Sequence, residues 1–167
     1  IAAAAHHLQF SGTPPPPLGQ VVTEDGVPFF FLPTRPYTGN GPGRIANMMD
    51  FGRQLKRLPA AVERGLLSRP EVIVYSSPHP FAFSSAEMVA RRLGAKLIFE
   101  VRDLWPQSLI DLAGLPGWHP FSWLARRCVG RAYRRADAVV GLAPNARIFM
   151  PSVEAERFVH IPNGVDP

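Results

Sequence analysis

Glu100, Arg102 and Asp103 follow one another almost without a gap, between the apolar run Leu97-Ile98-Phe99 and the segment Leu104-Trp105-Pro106. Two acids and a base at such a junction can work on a polar, anionic substrate. A guanidinium grips phosphate or carboxylate oxygens with a fixed fork of donors, and a carboxylate orients a hydroxyl or takes its proton. Arg102 and Asp103 are therefore the candidate catalytic residues, with Glu100 beside them as a candidate binding residue. The plain alternative is an Arg–carboxylate pair that neutralises itself at a strand end, with Trp105 as packing.

Two further groups carry suitable chemistry. Ser76-Ser77-Pro78-His79-Pro80 offers hydroxyls and an imidazole ahead of a helical stretch, where a helix N-terminus can hold an anion or orient a substrate hydroxyl. Ser77 reads equally well as an ordinary helix cap. In the loop from Pro33 to Gly43, and just past it, stand Tyr37, Asn40 and Arg44, an aromatic, an amide and a cation in a Gly-rich setting where backbone can approach a ligand closely. An ordinary surface loop has the same composition.

These residues need strands and helices to hold them. Lys96 to Val101 reads as a strand buried on both faces, with Pro106 as the first residue of a following helix. Glu71 to Tyr75, Asp137 to Leu142 and Phe158 to Ile161 read as further strands, and Val27 to Leu32 as a strand entered through the Asp25-Gly26 turn, at a sheet edge because of Pro28. Helical periodicity covers Arg44–Leu58, Ala60–Leu67, about Phe81–Leu93, Pro106–Ala113 and about Pro120–Arg135. Ile1 to Ala5 reads as the tail of an element, followed by His6-His7 and the stiff run Pro14 to Pro17. Alternation of strand and helix predicts an α/β fold, a Rossmann-like, mostly parallel sheet with helices on both faces.

Eighteen basic residues against 13 acids, a formal charge of +5 and a pI near 10.1 favour anionic partners. At ~100° per residue, Arg127, Arg131, Arg134 and Arg135 share one face of the last helix, with no acid on it, and suggest a peripheral contact with an anionic membrane. Nucleic acid is disfavoured, because that cluster has no interleaved aromatics for stacking. A single cysteine, Cys128, excludes an intrachain disulfide and a cysteine-based zinc cluster, and two adjacent histidines without a third ligand do not make a metal site. No stretch is long enough to span a bilayer. There is no GxGxxG, no Walker loop and no Gly-x-Ser-x-Gly.

Phe99-Glu100-Val101-Arg102-Asp103-Leu104-Trp105-Pro106, Arg135-Ala136-Asp137-Ala138-Val139-Val140 and Ile161-Pro162-Asn163-Gly164-Val165-Asp166, taken in order, resemble the N-terminal domain of a GT-B fold glycosyltransferase of family 4. The nearest likeness is to the bacterial branch that builds surface polysaccharides, the WbuB-like L-fucosamine transferases. Tyr37-Thr38-Gly39-Asn40-Gly41 with Arg44, Asn47 and Met48, and Ser76 to Pro80, are similar to that branch too.

The resemblance implies a retaining enzyme that moves a sugar from a nucleotide-sugar donor, a UDP-sugar, to a saccharide acceptor, often polyprenyl-diphosphate-linked, at the cytoplasmic face of the inner membrane. No metal or other cofactor is implied. It also implies that residues 1–161 are a partial acceptor-side domain lacking its first strand, that 162–167 begin the interdomain linker, and that a donor domain follows. Tyr37, Asn40, Arg44, Ser77, His79 and Glu100 are then acceptor-binding, and Arg102, where many relatives carry His, and Asp103 are nearest the chemistry. A GT-B-like nucleotide-sugar epimerase and a non-catalytic saccharide or lipid-phosphate binding module stand as alternatives.

Overall fold

The structure, a computed structural model, describes residues 1–5, 18–39 and 41–164. His6, His7, the Pro14–Pro17 run, Asn40 and the last residues of the Pro162–Pro167 motif lie outside the described residues. The chain divides into two compact units, Ile1–Pro70 and Glu71–Pro167.

In the first unit three strands, β1 (Ala2–Ala4), β2 (Val21–Glu24) and β3 (Val27–Leu32), form a sheet of order β1-β3-β2. β1 pairs parallel with β3, and β2 antiparallel. Asp25 and Gly26 join β2 to β3 with φ of +50° and +79°, both left-handed. That geometry suits a two-residue hairpin, because its twist matches the strands, and Asp-Gly tolerates it best.

Pro28 does not mark an edge, since β3 is the middle strand. The Pro28 carbonyl faces the β1 side and accepts from the Ile1 amino group at 2.6 Å, and Phe30 is the residue whose N–H donates to that side, to the Ile1 carbonyl. On its other side Pro28 stands opposite Thr23 of β2 in the antiparallel register. β2 itself has little sequence signal, being short and largely exposed.

Helix α1 (Pro42–Leu55) follows, with Pro42 at its first position, then the short α2 (Leu58–Glu63). Both start and end earlier than the periodicity suggests.

The second unit is a four-stranded, wholly parallel sheet of order β4-β5-β6-β7: β4 (Val72–Ser77), β5 (Lys96–Val101), β6 (Ala138–Gly141) and β7 (Phe158–His160). Helices α3 (Phe83–Leu93), α4 (Gln107–Ala113) and α5 (Pro120–Arg135) connect the strands. This is the Rossmann-like α/β class that the strand–helix alternation predicts.

α3 packs on β4 and β5 and against α5. The core between them is aromatic: Tyr75, Phe83 and Phe99 lie within 6 Å of one another, and Tyr133 meets Phe99 at 6.0 Å. Leu97, Phe99, Val101 and Val139 are buried from the strands, and Ala125, Val129 and Ala132 from α5. The small residues on α5 let the helix come close to its neighbours. Gly141, the last residue of β6, is required by packing, because a Cβ there would lie 2.7 Å from the Phe158 ring and 3.2 Å from the Ala146 side chain.

Candidate active site

In the second unit the parallel register aligns Ser77 of β4, Val101 of β5 and Gly141 of β6 at one end of the sheet. The segments leaving these strands therefore emerge at a common carboxyl-terminal edge, which is where open α/β sheets bind ligands. Arg102 and Asp103 are the first residues past β5. Both are exposed, and neither side chain has a hydrogen bond or ion pair among the described residues. The self-neutralising pair that would make them structural does not form. Glu100 lies one residue inside the strand, level with exposed Ser76 of β4 and with Val140 of β6. It too is without a side-chain partner among the described residues. Three accessible charges, two negative and one positive, thus cluster at the end of the strand that β4 and β6 flank.

Behind them is an aromatic brace. Trp105 Nε1 donates to the Pro78 carbonyl at 2.7 Å, and its ring meets Phe81 edge-on at 5.5 Å and Phe121 at 6.4 Å. Phe81 in turn stacks on the His79 ring at 5.8 Å. Tyr75 Oη donates to the His79 carbonyl at 2.9 Å. His79 is buried in this cluster rather than displayed on the edge.

The segment after β4 is thereby pinned twice, from its own strand by Tyr75 and from the segment after β5 by Trp105. The Trp105–Pro106 peptide is cis, and Pro106 caps α4 instead of opening it. Sequence reasoning treats Trp105 as filler and misses its hydrogen bond. The signal available was an indole next to a proline, three residues past a strand end. Trp105→Phe keeps the ring packing and removes the donor, so thermal unfolding should show a loss of about 1 kcal/mol, the net worth of one hydrogen bond.

The first unit holds the other candidates. Arg35 Nε and Nη2 reach the two carboxylate oxygens of Asp50 at 2.6 and 3.2 Å, and Asn47 Nδ2 donates to the Arg35 carbonyl at 2.7 Å. Hydrogen bonding from Arg35 holds the Asp50 carboxyl below its ordinary range, against its partial burial. α1 thus ties down the start of the loop that carries Tyr37. Tyr37 is half-buried, and a Cβ on Gly43 would sit 3.3 Å from its Cβ, so the first turn of α1 packs directly on it. Arg44, half-buried, donates its N–H to the Gly41 carbonyl at 3.0 Å. Asn40 falls among the residues outside the description.

The arginine face of α5 is not free of acid, as its own sequence suggests. Glu87 of α3, its side chain only 5% exposed, accepts from Arg131 Nε at 2.7 Å and Arg135 Nε at 2.9 Å, and pairs with Arg91 at 2.9 Å. The acid comes from another helix, so no reading of α5 alone can find it. Burial pushes the Glu87 carboxyl up, and the Arg135 and Arg131 hydrogen bonds and charges outweigh it, leaving the group below its ordinary range. Asp137, part of the second motif, is structural at the opposite end of the sheet. It accepts from the Leu97 N–H at 2.8 Å and from Lys96 Nζ at 3.0 Å, and the Leu97 hydrogen bond chiefly lowers its carboxyl.

Among the described residues no three His, Cys, Asp or Glu side chains gather as metal ligands, and no helix is long and apolar enough to cross a membrane. No curated protein matches the chain. A parallel sheet with charged residues free at its carboxyl edge accords with the family comparison. Over residues 1–164 the chain fits, and belongs to, the glycosyl transferase 4-like domain family.

Proposed function

We propose that this domain forms the acceptor side of a retaining glycosyltransferase that moves a sugar from a nucleotide donor, a UDP-sugar, to a lipid-linked saccharide in bacterial surface-polysaccharide synthesis, the reaction of the WbuB-like branch. The observation that carries the reading is the exposed, unpartnered Arg102 and Asp103 at the carboxyl end of β5, in a chain of glycosyltransferase type.

Transfer at an anomeric carbon breaks its bond to the leaving diphosphate as the acceptor oxygen bonds to it and sheds a proton. The charge developing on the diphosphate needs a cation, and the acceptor hydroxyl needs an oriented acceptor for its proton. Arg102 serves the first need and Asp103 the second. That Asp103 is not engaged with Arg102 supports a direct role toward the acceptor over one of merely orienting the guanidinium. Glu100 and, in the other unit, Tyr37, Asn40 and Arg44 are assigned to saccharide hydroxyls. Ser77 and His79 are assigned to the acceptor with Glu100 of their own unit, His79 through the shape of its segment, since its ring is buried.

The test is an assay of an active enzyme carrying this chain, with radiolabelled nucleotide sugar and a polyprenyl-diphosphate-linked saccharide. Label passing into the lipid extract is the expected result. Epimerised free donor would establish the epimerase reading instead, and acceptor binding without turnover the non-catalytic one.

A further inference from the structure

Helix α5 begins beside two tryptophans that its own fold does not use. Trp118 precedes the capping residue His119, and Trp123 is the fourth helical residue. Those are the two positions that a hydrophobic staple brings together. Trp118 is nevertheless 81% exposed and Trp123 57%, with Leu124 beside them at 41%. The helix start is held by other means: His119 Nδ1 accepts from the Phe121 N–H at 3.2 Å, and the His119 N–H donates to the Pro116 carbonyl at 2.9 Å.

The same outward side is cationic. At ~100° per residue, Arg127 and Arg134 project with Trp123, opposite the buried Ala125 and Ala132, and exposed Arg126 stands at the border of that face. The Arg127 guanidinium lies over the Trp123 ring, 4.9 Å from its centroid. Glu87 answers Arg131 and Arg135. Arg126, Arg127 and Arg134 have no acidic partner among the described residues, and α5 contains no acid.

We propose that this side of α5 docks the protein on an anionic lipid bilayer, with Trp118, Trp123 and Leu124 entering the interface and Arg126, Arg127 and Arg134 meeting headgroup phosphates. Indoles settle at headgroup depth because one part is apolar and the N–H stays wet. Arginines near the surface gain from its negative potential. The convex helix offers no groove along which a nucleic-acid strand could run, and Leu124 cannot stack on a base. A second copy would have to bring two uncompensated arginine clusters together. The surface differs from the four-arginine face read from sequence, because two of those arginines are spent on Glu87. It does not depend on which sugar is moved or on what acceptor, so docking and transfer can fail separately.

Vesicle flotation of the whole chain tests it. The chain should float with phosphatidylcholine vesicles rich in phosphatidylglycerol and stay behind with phosphatidylcholine alone. Arg126→Gln/Arg127→Gln/Arg134→Gln should cost about a hundredfold in partitioning, at roughly 1 kcal/mol per arginine. Trp118→Ser/Trp123→Ser should cost about tenfold or more from lost apolar insertion. Indole emission should shift to the blue on anionic vesicles in the wild type and not in the double tryptophan variant, which retains only Trp105. All these positions are exposed, so circular dichroism and melting should match the wild type. Equal partitioning to neutral and anionic vesicles overturns the proposal, as does anionic binding that survives loss of both tryptophans. A tryptophan-dependent dimer in light scattering, or tryptophan-dependent binding of an oligonucleotide, also overturns it, by assigning the face to another occupant.

Discussion

Alanine at Asp103 is expected to lower sugar transfer by about a hundredfold to ten-thousandfold, the usual worth of a positioned proton acceptor, with donor affinity unchanged. The carboxylate is exposed and unpartnered among the described residues, so its removal opens no cavity and strands no buried charge. Substitutions of that kind move stability by about 0.5 kcal/mol at most, and the melting temperature should stay that of the wild type. The loss should fall on kcat and kcat/KM together, because an interaction made in the transition state is what disappears. Arg102→Lys offers the companion measurement. It keeps the charge but loses the planar fork, and a marked loss there would indicate two-point contact with phosphate oxygens rather than simple charge neutralisation. Near-normal turnover in Asp103→Ala would remove this residue from the chemistry altogether.

Much of this site was legible because strand ends announce themselves. Leu97, Ile98, Phe99 and Val101 form a run short and apolar enough for a buried strand, and Arg102 and Asp103 then fall just past its end. The α5 helix was legible at both ends, since His119-Pro120 starts it and the apolar periodicity fades at about Arg135. What could not be read were contacts between elements distant in sequence. Glu87 pairs with arginines 44 and 48 residues away, and nothing in its own helix distinguishes it from a solvated surface acid. The Trp105 bond to Pro78 spans 27 residues and uses a backbone carbonyl, which has no sequence signature. Pro28 misled for a related reason. Proline removes one donor from one side of its strand, and β3 is central only because β1 and the weakly signalled β2 flank it. His79 shows the converse limit: its residue type suggested a ligand, but its ring is buried, stacked on Phe81 of the aromatic brace.

Among the ion pairs of the described residues, the Glu87 cluster sets the largest expected stability effect. A nearly buried carboxylate that accepts from arginines on α5 and on its own helix fastens α3 to α5, the two helices that roof the aromatic core. Charge-assisted hydrogen bonds are each worth roughly 1.5–3 kcal/mol, but the three arginines are about half exposed and rehydrate when released. Glu87→Ala should therefore cost about 2–3 kcal/mol, and the melting temperature of a chain this size should fall by some 5–10 °C. Glu87→Gln should cost nearly as much, because its amide turns a donor toward donors. The pH dependence separates charge from packing. A carboxyl whose folded pKa is lowered contributes stability that is complete above its unfolded value, about 4.3–4.5, and that fades as pH falls through the lower folded value. The gap between wild type and Glu87→Ala should thus be full at neutral pH and narrow below about pH 4.5. Asp50 and Asp137 also have lowered carboxyls and lose their contributions in the same acid range, but they do so in both proteins, so the difference isolates Glu87. A gap of less than about 0.5 kcal/mol at neutral pH, the value of a solvated surface pair, would mean that α3 and α5 are held by their apolar contact alone.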